Sequence, residues 1–180
     1  MMQALCADAV GDWRTVLQWK EVDRPLPHNS SATLKEHDVL IRVAYCDLNP
    51  VDLQKIGQKR ADDGAAVYIP GFSGSGVVVR VGTGVVDTRS ITEGARVAFL
   101  TAAGGAYAEE IVVDARAVAV IPHSVSLLQA CVVPLAGCTA YESLVKLGLG
   151  PSAAAARRGS NSGGRAGQGT RVQADWRSRA

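Results

Sequence analysis

The sequence is poor in the residues that usually build metal sites, disulfide frameworks and membrane spans. It has three histidines and four cysteines, with no C-x-x-C pair, so neither a clustered zinc site nor a set of disulfides is expected. The first residues, MMQALCADAVGDWR, contain no apolar core like that of a secretory leader. No segment approaches the roughly 20 apolar residues that cross a bilayer. We therefore expect reduced thiols, a cytoplasmic location and no membrane partner.

A large excess of charge is also missing from most of the chain. Residues 1–150 carry 13 Lys/Arg against 16 Asp/Glu, a net charge of −3, which gives no reason to expect nucleic acid as a partner. Residues 151–180 carry six arginines, one acidic residue and only two large apolar side chains. This composition predicts a disordered Arg/Gly/Ala-rich tail after a folded domain of residues 1–150. A basic tail that binds an acidic partner is the alternative.

Short apolar or alternating runs between turn signals dominate the first 122 residues. Such spacing favours a mainly β fold, a barrel or sandwich with short helices, over a helical bundle. The predicted strands are Gln3–Ala7, Leu17–Val22, Val39–Ala44, Gly76–Val81, Arg96–Leu100, Tyr107–Val113 and Val118–Ile121.

A first helix is predicted from its two ends. Asn49 is a good N-cap, Pro50 suits the first helical position, and Asp52 places a carboxylate in the first turn. We expect this helix to end at Gly57, because glycine commonly follows the last helical residue.

Two further helices are predicted near residue 130 and beyond. Ser126 and Gln129 form a capping-box pattern before a short helix, which Pro134 is expected to end. The last helix spans about Thr139–Leu147 and ends at Gly148.

Five segments in this order resemble the GroES-like catalytic domain of the medium-chain dehydrogenase/reductase superfamily, most of all its zinc-free quinone oxidoreductase branch. They are LIRVAYCDLNPVDLQKIG (40–57), IPGFSGSGVVVRVGTGV (69–85), EGARVAF (93–99), GGAYAEEIVV (104–113) and PLAGCTAYESL (134–144). The resemblance implies a partly open, mostly antiparallel β-barrel. In full-length relatives a Rossmann domain follows and binds NADP(H) or NAD(H). We expect that domain to be absent here, because GSNSGGRAGQG has no strand before it and no helix after it.

The resemblance also leads to an expectation about zinc binding. Zinc-binding members place a Cys where Asn49 stands and a His-Glu pair after the glycine of the second segment, where this chain has Phe72 and Ser73 after Gly71. Cys46, at the end of a predicted strand, is interpreted as a core thiol. A catalytic zinc needs about three protein ligands, and the histidines stand alone in loop-like sequence. We expect no zinc.

The resemblance points to a small set of site residues. Asn49, Asp52 and Tyr45 are the catalytic candidates, and Asn49 and Thr139 are the residues expected near the nicotinamide. Each also has a purely structural interpretation. Asn49 and Asp52 cap a helix, Thr139 begins one, and Tyr45 is a half-buried strand residue. Tyr107 is predicted to pack inside the barrel.

A second branch of the superfamily, the enoyl thioester reductases, uses a tyrosine as proton donor shortly after the Asn-Pro-x-Asp helix. Here Gln58 and Lys59 stand near that place, which argues against this branch. Lys59 and Arg60 are interpreted as solvated loop charges, with binding of a substrate phosphate or carboxylate as the alternative.

Two functions remain open from the sequence. The first is an NADPH-dependent, zinc-free quinone or enone reductase, truncated before its cofactor domain, unable to hold NADPH stably and therefore unable to turn over alone. A shifted reading frame or aberrant splice at the tail would explain this truncation. The second is a non-catalytic, solitary GroES-like barrel that serves as an interaction module or is an aberrant fragment. Under both functions we expect apolar side chains of the last helix to be exposed and to mediate self-association. These side chains are Leu144, Val145, Leu147 and Leu149.

Overall fold

The computed structural model describes residues 1–26, 33–57, 67–85 and 91–149. The chain divides into two units, Met1–Ala140 and Tyr141–Ala180. The predicted tail, residues 151–180, and the loop prediction for Gln58, Lys59 and Arg60 lie outside the described residues. Among the described helices, none is long and apolar enough to cross a membrane.

The described residues contain seven strands and four short α-helices, most of them close to the predicted bounds. The strands are β1 Met2–Ala7, β2 Leu17–Val22, β3 Asp38–Cys46, β4 Ser73–Val81, β5 Arg96–Leu100, β6 Glu110–Asp114 and β7 Val118–Val120. The helices are α1 Trp13–Val16, α2 Pro50–Gly57, α3 Leu127–Cys131 and α4 Cys138–Lys146. A 3₁₀ turn at Ala115–Ala117 precedes β7, and a π-helical turn at Val133–Gly137 precedes α4.

The strands form two antiparallel sheets that do not close into a complete barrel. β1 pairs with β2, and the larger sheet has the order β6-β3-β4-β5-β7. Two isolated bridges, Ala4 to Ala108 and Ala7 to Tyr68, connect β1 to the segments outside the larger sheet. The predicted mainly β fold with short helices is thus confirmed, and its sheets remain open.

The apolar core lies on one face of the larger sheet. Its fully buried members come from neighbouring strands and include Val39, Ile41, Val97 and Phe99. Strands β3 and β4 approach each other so closely that a Cβ at Gly76 would lie 2.1 Å from the carbonyl oxygen of Arg42. Glycine is required at position 76 because a side chain there would collide with the paired strand.

One predicted strand begins later than the sequence suggested. Tyr107 was expected to open a strand, but β6 starts at Glu110. The carbonyl of Tyr107 accepts a hydrogen bond from the backbone N–H of Leu5 at 2.8 Å, and the N–H of Glu109 donates to the carbonyl of Gln3 at 3.1 Å. The segment before β6 therefore belongs with β1, and this pairing is invisible to local sequence patterns.

The helix ends follow their capping residues. The capping box of Ser126 and Gln129 is confirmed at the start of α3. α3 ends at Cys131, before the predicted stop at Pro134, which instead lies in the first turn of the π-helical segment. Helix α1 was not predicted; the side chain of Asp12 caps it by accepting from the N–H of Arg14.

In the second unit, the described residues are 141–149. Gly148, with φ of +72°, follows the last turn of the helix as predicted. The four apolar side chains named above for this helix are all exposed, and Leu147 is the most exposed at 73%.

Candidate active site

A cleft of about 400 Å³ opens in the first unit, between the β1–β2 sheet and the end of β3. Its wall is mostly apolar, and its size falls in the range of small-molecule sites. The lining residues are Gln3, Leu5, Trp19, Val43, Ala44, Tyr45, Cys46, Leu48, Ala106, Tyr107, Ala108 and Glu109. We call this space the cleft.

Tyr107 connects the cleft to a buried polar cluster. Its ring lines the cleft, and its hydroxyl Oη donates to Oδ2 of Asp52 at 2.9 Å. Oη also lies 3.2 Å from the backbone carbonyl oxygen of Asp47. Burial, followed by the charge of Asp52, raises the pKa of Tyr107 well above its usual range. The tyrosine therefore stays protonated and acts as a hydrogen-bond donor at neutral pH.

Two carboxylates lie in this cluster with little exposure. Asp52 is 1% exposed and Asp47 is 7% exposed. The hydroxyl of Ser73 donates to Oδ1 of Asp47. Within the described residues, Oδ2 of Asp47 and Oδ1 of Asp52 have no hydrogen-bond partner. Because unpartnered buried oxygens are costly, the cluster is a place where a polar ligand atom or water would be stabilising.

Asn49 joins the cluster through its backbone. Its N–H donates to Oδ2 of Asp52 at 2.7 Å, so Asp52 serves both the helix start and Tyr107. The side-chain Nδ2 of Asn49 is buried and has no partner among the described residues. The structure thus brings Asn49 and Asp52 together, and it leaves a free amide donor beside them.

Tyr45 and Cys46 lie at the end of β3 and line the cleft. Tyr45 is 45% exposed, so it is both a strand residue and part of the cleft wall. The interpretation of Cys46 as a core thiol is wrong, since this residue is exposed. β3 runs on past the predicted end at Ala44 to Cys46, and Cys46 lines the cleft there. Although the residue as a whole is exposed, its sulfur is partly shielded from water, and this desolvation, with smaller contributions from Cys131 and Asp47, raises the pKa of Cys46 to about 11.

Thr139 stands apart from these residues. It lies in the first turn of α4, is exposed, and does not line the cleft. Its hydroxyl donates to the carbonyl oxygen of Leu135 at 2.7 Å, an ordinary bond for a helical threonine.

Sequence reasoning missed several residues of the site. Tyr107 is buried, as predicted, but its hydrogen bond to Asp52 was not predicted. Asp47 and Ser73 come from different segments and meet only in the folded chain. Trp19, 73% exposed, lines the cleft. For Trp19 the sequence offered one signal, which is an aromatic side chain on a strand between two polar neighbours, Gln18 and Lys20.

The described residues contain no group of three or more His, Cys, Asp or Glu side chains placed to hold a metal ion.

The sequence and the fold match a known domain. Residues 35–123 match the alcohol dehydrogenase GroES-like domain family. The resemblance to the medium-chain dehydrogenase/reductase superfamily that the sequence segments indicated is thereby confirmed.

Several of the similar curated proteins are reductases. The chain is 35% identical over 122 residues to 2-methylene-furan-3-one reductase of Solanum lycopersicum, covering 64% of this chain and 31% of that protein. It is 37% identical over 119 residues to the chloroplastic NADPH-dependent alkenal/one oxidoreductase of Arabidopsis thaliana, covering 63% of this chain and 31% of that protein.

A solved structure supports the same relationship. The quinone oxidoreductase of Pseudomonas syringae superposes with a TM-score of 0.69 and 27% identity, over 82% of this chain and 42% of that chain. This chain therefore spans about a third of the length of the curated relatives it matches and about two fifths of that structure.

Proposed function

We propose that this chain provides the substrate-binding domain of an NADPH-dependent quinone or enone reductase that works without zinc. The observation that carries the proposal is the Tyr107–Asp52 hydrogen bond, which joins an apolar cleft to buried polar groups at the start of α2. Reduction of a conjugated carbonyl needs an apolar site for the substrate and polar groups near its oxygen. The similarity to alkenal/one and quinone oxidoreductases supports the same reaction class.

Each of the site residues receives a role in this proposal. Tyr107 and Tyr45 hold the substrate ring within the cleft. Asp52 orients the Tyr107 hydroxyl and fixes the start of α2. Asn49 offers its unpartnered amide to a carbonyl or carboxamide oxygen. Bound NADPH would supply the hydride. Thr139 remains the proposed residue on the nicotinamide side, on the strength of the family resemblance alone.

The residues fit one end of the cofactor. An unpartnered amide donor and an apolar cleft suit a neutral nicotinamide ring with its carboxamide. The diphosphate of a dinucleotide needs a glycine-rich turn between a parallel strand and a helix. The described strand pairs are all antiparallel, and the described residues offer no such turn. We therefore propose that this chain alone holds NADPH weakly and does not turn over.

The zinc-free part of the proposal rests on donor chemistry. Asn49 and Ser73 are poor zinc ligands, and Phe72 is not a ligand at all. The proposed location is the cytoplasm, which suits the free state of all four cysteines.

A second function is a non-catalytic module. The observation that favours it is the lack, among the described residues, of a turn between a parallel strand and a helix that would hold the diphosphate of the cofactor. Such a module would keep the fold and bind neither substrate nor cofactor.

Two titrations of the purified chain separate these functions. NADPH is followed by its nicotinamide fluorescence, and tetramethyl-1,4-benzoquinone by calorimetry. The proposal predicts saturable quinone binding without tight NADPH binding. Micromolar NADPH binding with NADPH oxidation would show a competent enzyme. This result would contradict the proposal that the chain alone holds NADPH weakly, and it would also exclude the non-catalytic module. Binding of neither compound would support the module and contradict the reductase.

A further inference from the structure

We propose that the cleft selects neutral, apolar carbonyl compounds and rejects anionic acids of the same size, with Trp19 and Glu109 as the specificity-determining residues. This proposal concerns the same cleft as the proposed function. It rests on that function only for the statement that the compound bound in the cleft is a substrate.

Trp19 is placed to serve a ligand and not the core. In the β1–β2 register it stands opposite Leu5, and both side chains line the cleft. The alternate residues of β1, Ala4 and Cys6 among them, pack into a separate core cluster on the other side. A tryptophan that is 73% exposed leaves a large apolar surface in water. A planar ligand that covers this ring would remove that surface from water.

A second part of the cleft wall is also aromatic and apolar. It comes from the end of β3 and the residues after it, where Tyr45 and Leu48 line the cleft. Leu48 is 84% exposed, so it too gains from a covering ligand. Two aromatic residues, Trp19 and Tyr45, thus line one cleft, and such a lining suits a flat, conjugated ring.

The charge of the cleft is set by Glu109. It is the one charged residue among the described lining residues, and its Oε2 accepts a hydrogen bond from the N–H of Gln3 at 3.1 Å. An anionic ligand would lose its water and meet this carboxylate with no cation in the lining to offset either cost. A neutral quinone or enone avoids both costs.

The basic residues nearby do not reverse this preference. A second pocket of about 270 Å³ shares Val43 and Glu109 with the cleft and contains Arg24 and Arg42. It also contains Glu110, which is 2% exposed and forms an ion pair with Arg24 at 2.7 Å. Two arginines thus face two glutamates, so this pocket has no net positive charge to attract an acid.

The chain contains its own reporter of occupancy. Cys46 lines the cleft, and Cys138 is exposed but does not line it. A ligand in the cleft should therefore slow the alkylation of Cys46 by iodoacetamide and leave that of Cys138 unchanged. Cys6 and Cys131 are buried, and their lack of reaction reports that a variant is folded.

The experiment measures alkylation of each cysteine in the full chain by peptide mass spectrometry, without NADPH. The neutral probe is tetramethyl-1,4-benzoquinone, whose four alkene carbons are all methylated and so do not take up thiols readily. The anionic probe is 2,3,5,6-tetramethylbenzoate, which carries four methyl groups on a flat six-membered ring of the same size. We expect the quinone to protect Cys46 and the benzoate to leave it unprotected.

Two variants with a matched control locate the effect. Trp19→Ala should weaken quinone protection about ten-fold, since a lost aromatic contact and its apolar burial amount to about 1.4 kcal/mol or more. Trp13→Ala should leave protection unchanged, because the Trp13 ring stacks on Arg14 and does not line the cleft. Glu109→Gln should allow the benzoate to protect Cys46.

The outcomes separate this proposal from the reductase function. If calorimetry detects quinone binding but Cys46 is unprotected, or if Trp19→Ala and Trp13→Ala behave alike, the specificity proposal is wrong and the function stands. Equal protection by benzoate and quinone would also overturn it. If Cys46 is protected as expected but no NADPH-dependent reduction is found once a cofactor domain is supplied, the function fails and the specificity proposal stands.

Discussion

The Tyr107 hydroxyl lies 2.9 Å from Oδ2 of Asp52, and this contact ties a wall of the cleft to the first turn of α2. The two residues are 55 positions apart in the chain. Asp52 also receives the N–H of Asn49 on the same oxygen. A single carboxylate oxygen therefore fixes the start of the helix and the orientation of the tyrosine that faces the cleft.

Tyr107→Phe should destabilise the fold by about 1–3 kcal/mol, because it leaves a buried carboxylate oxygen with one donor fewer. Urea unfolding followed by circular dichroism measures this change. Tyr141→Phe is the matched control, since Tyr141 is 56% exposed and its variant should stay within about 0.5 kcal/mol of the wild type. Equal stability of the two variants would show that the Tyr107–Asp52 bond contributes little.

The sequence was sufficient for the parts of this site that depend on local chemistry. Asn49, Pro50 and Asp52 predicted the start of α2, and the turn residues around β4 predicted a buried strand. The sequence did not reveal which residues meet Asp52. Tyr107 reaches it because the segment before β6 pairs with β1, and a long-range pairing of this kind leaves no periodic signal.

The prediction for Cys46 failed for a related reason. A cysteine at a strand end is usually buried, and only the course of β3 shows that this one lies at the cleft wall. Trp19 was missed because its one local signal, an aromatic residue between polar neighbours, does not distinguish a ligand contact from a chance surface residue.

Cys46 should react with iodoacetamide slowly at neutral pH and increasingly fast up to about pH 11. The thiolate is the reactive form, and a pKa raised from 9.0 to about 11 leaves roughly a hundred-fold fewer thiolates at pH 8 than an unperturbed thiol. Rates measured from pH 7 to 11.5 test this prediction. A rate that levels off near pH 9 would mean that burial does not suppress ionisation of this thiol.

Gly76→Ala should destabilise the chain by about 3 kcal/mol or prevent folding, because the new Cβ would lie 2.1 Å from the carbonyl oxygen of Arg42. Gly137→Ala is the control, since its Cβ would meet atoms no closer than 3.6 Å, and it should stay within about 1 kcal/mol of the wild type. Urea unfolding compares the two. Similar free energies of unfolding for the two variants would mean that β3 and β4 move apart easily at Gly76.

The apolar side chains after residue 143 should bind a hydrophobic dye and promote self-association. Leu144, Val145, Leu147 and Leu149 are each 46–73% exposed, and a group of this kind is a docking or aggregation surface. Leu147→Glu should lower dye fluorescence and shift sedimentation towards the monomer, while Leu128→Glu, at an exposed site in α3, is the comparison. A monomeric wild type that binds no dye would contradict this prediction.

Whether the cleft is a substrate site is decided by calorimetric titration of the full chain with tetramethyl-1,4-benzoquinone in the absence of NADPH. We expect saturable binding at one site, weakened about ten-fold by Trp19→Ala and unaffected by Trp13→Ala. No saturable binding up to the solubility limit of the quinone would contradict the assignment of the cleft as a substrate site.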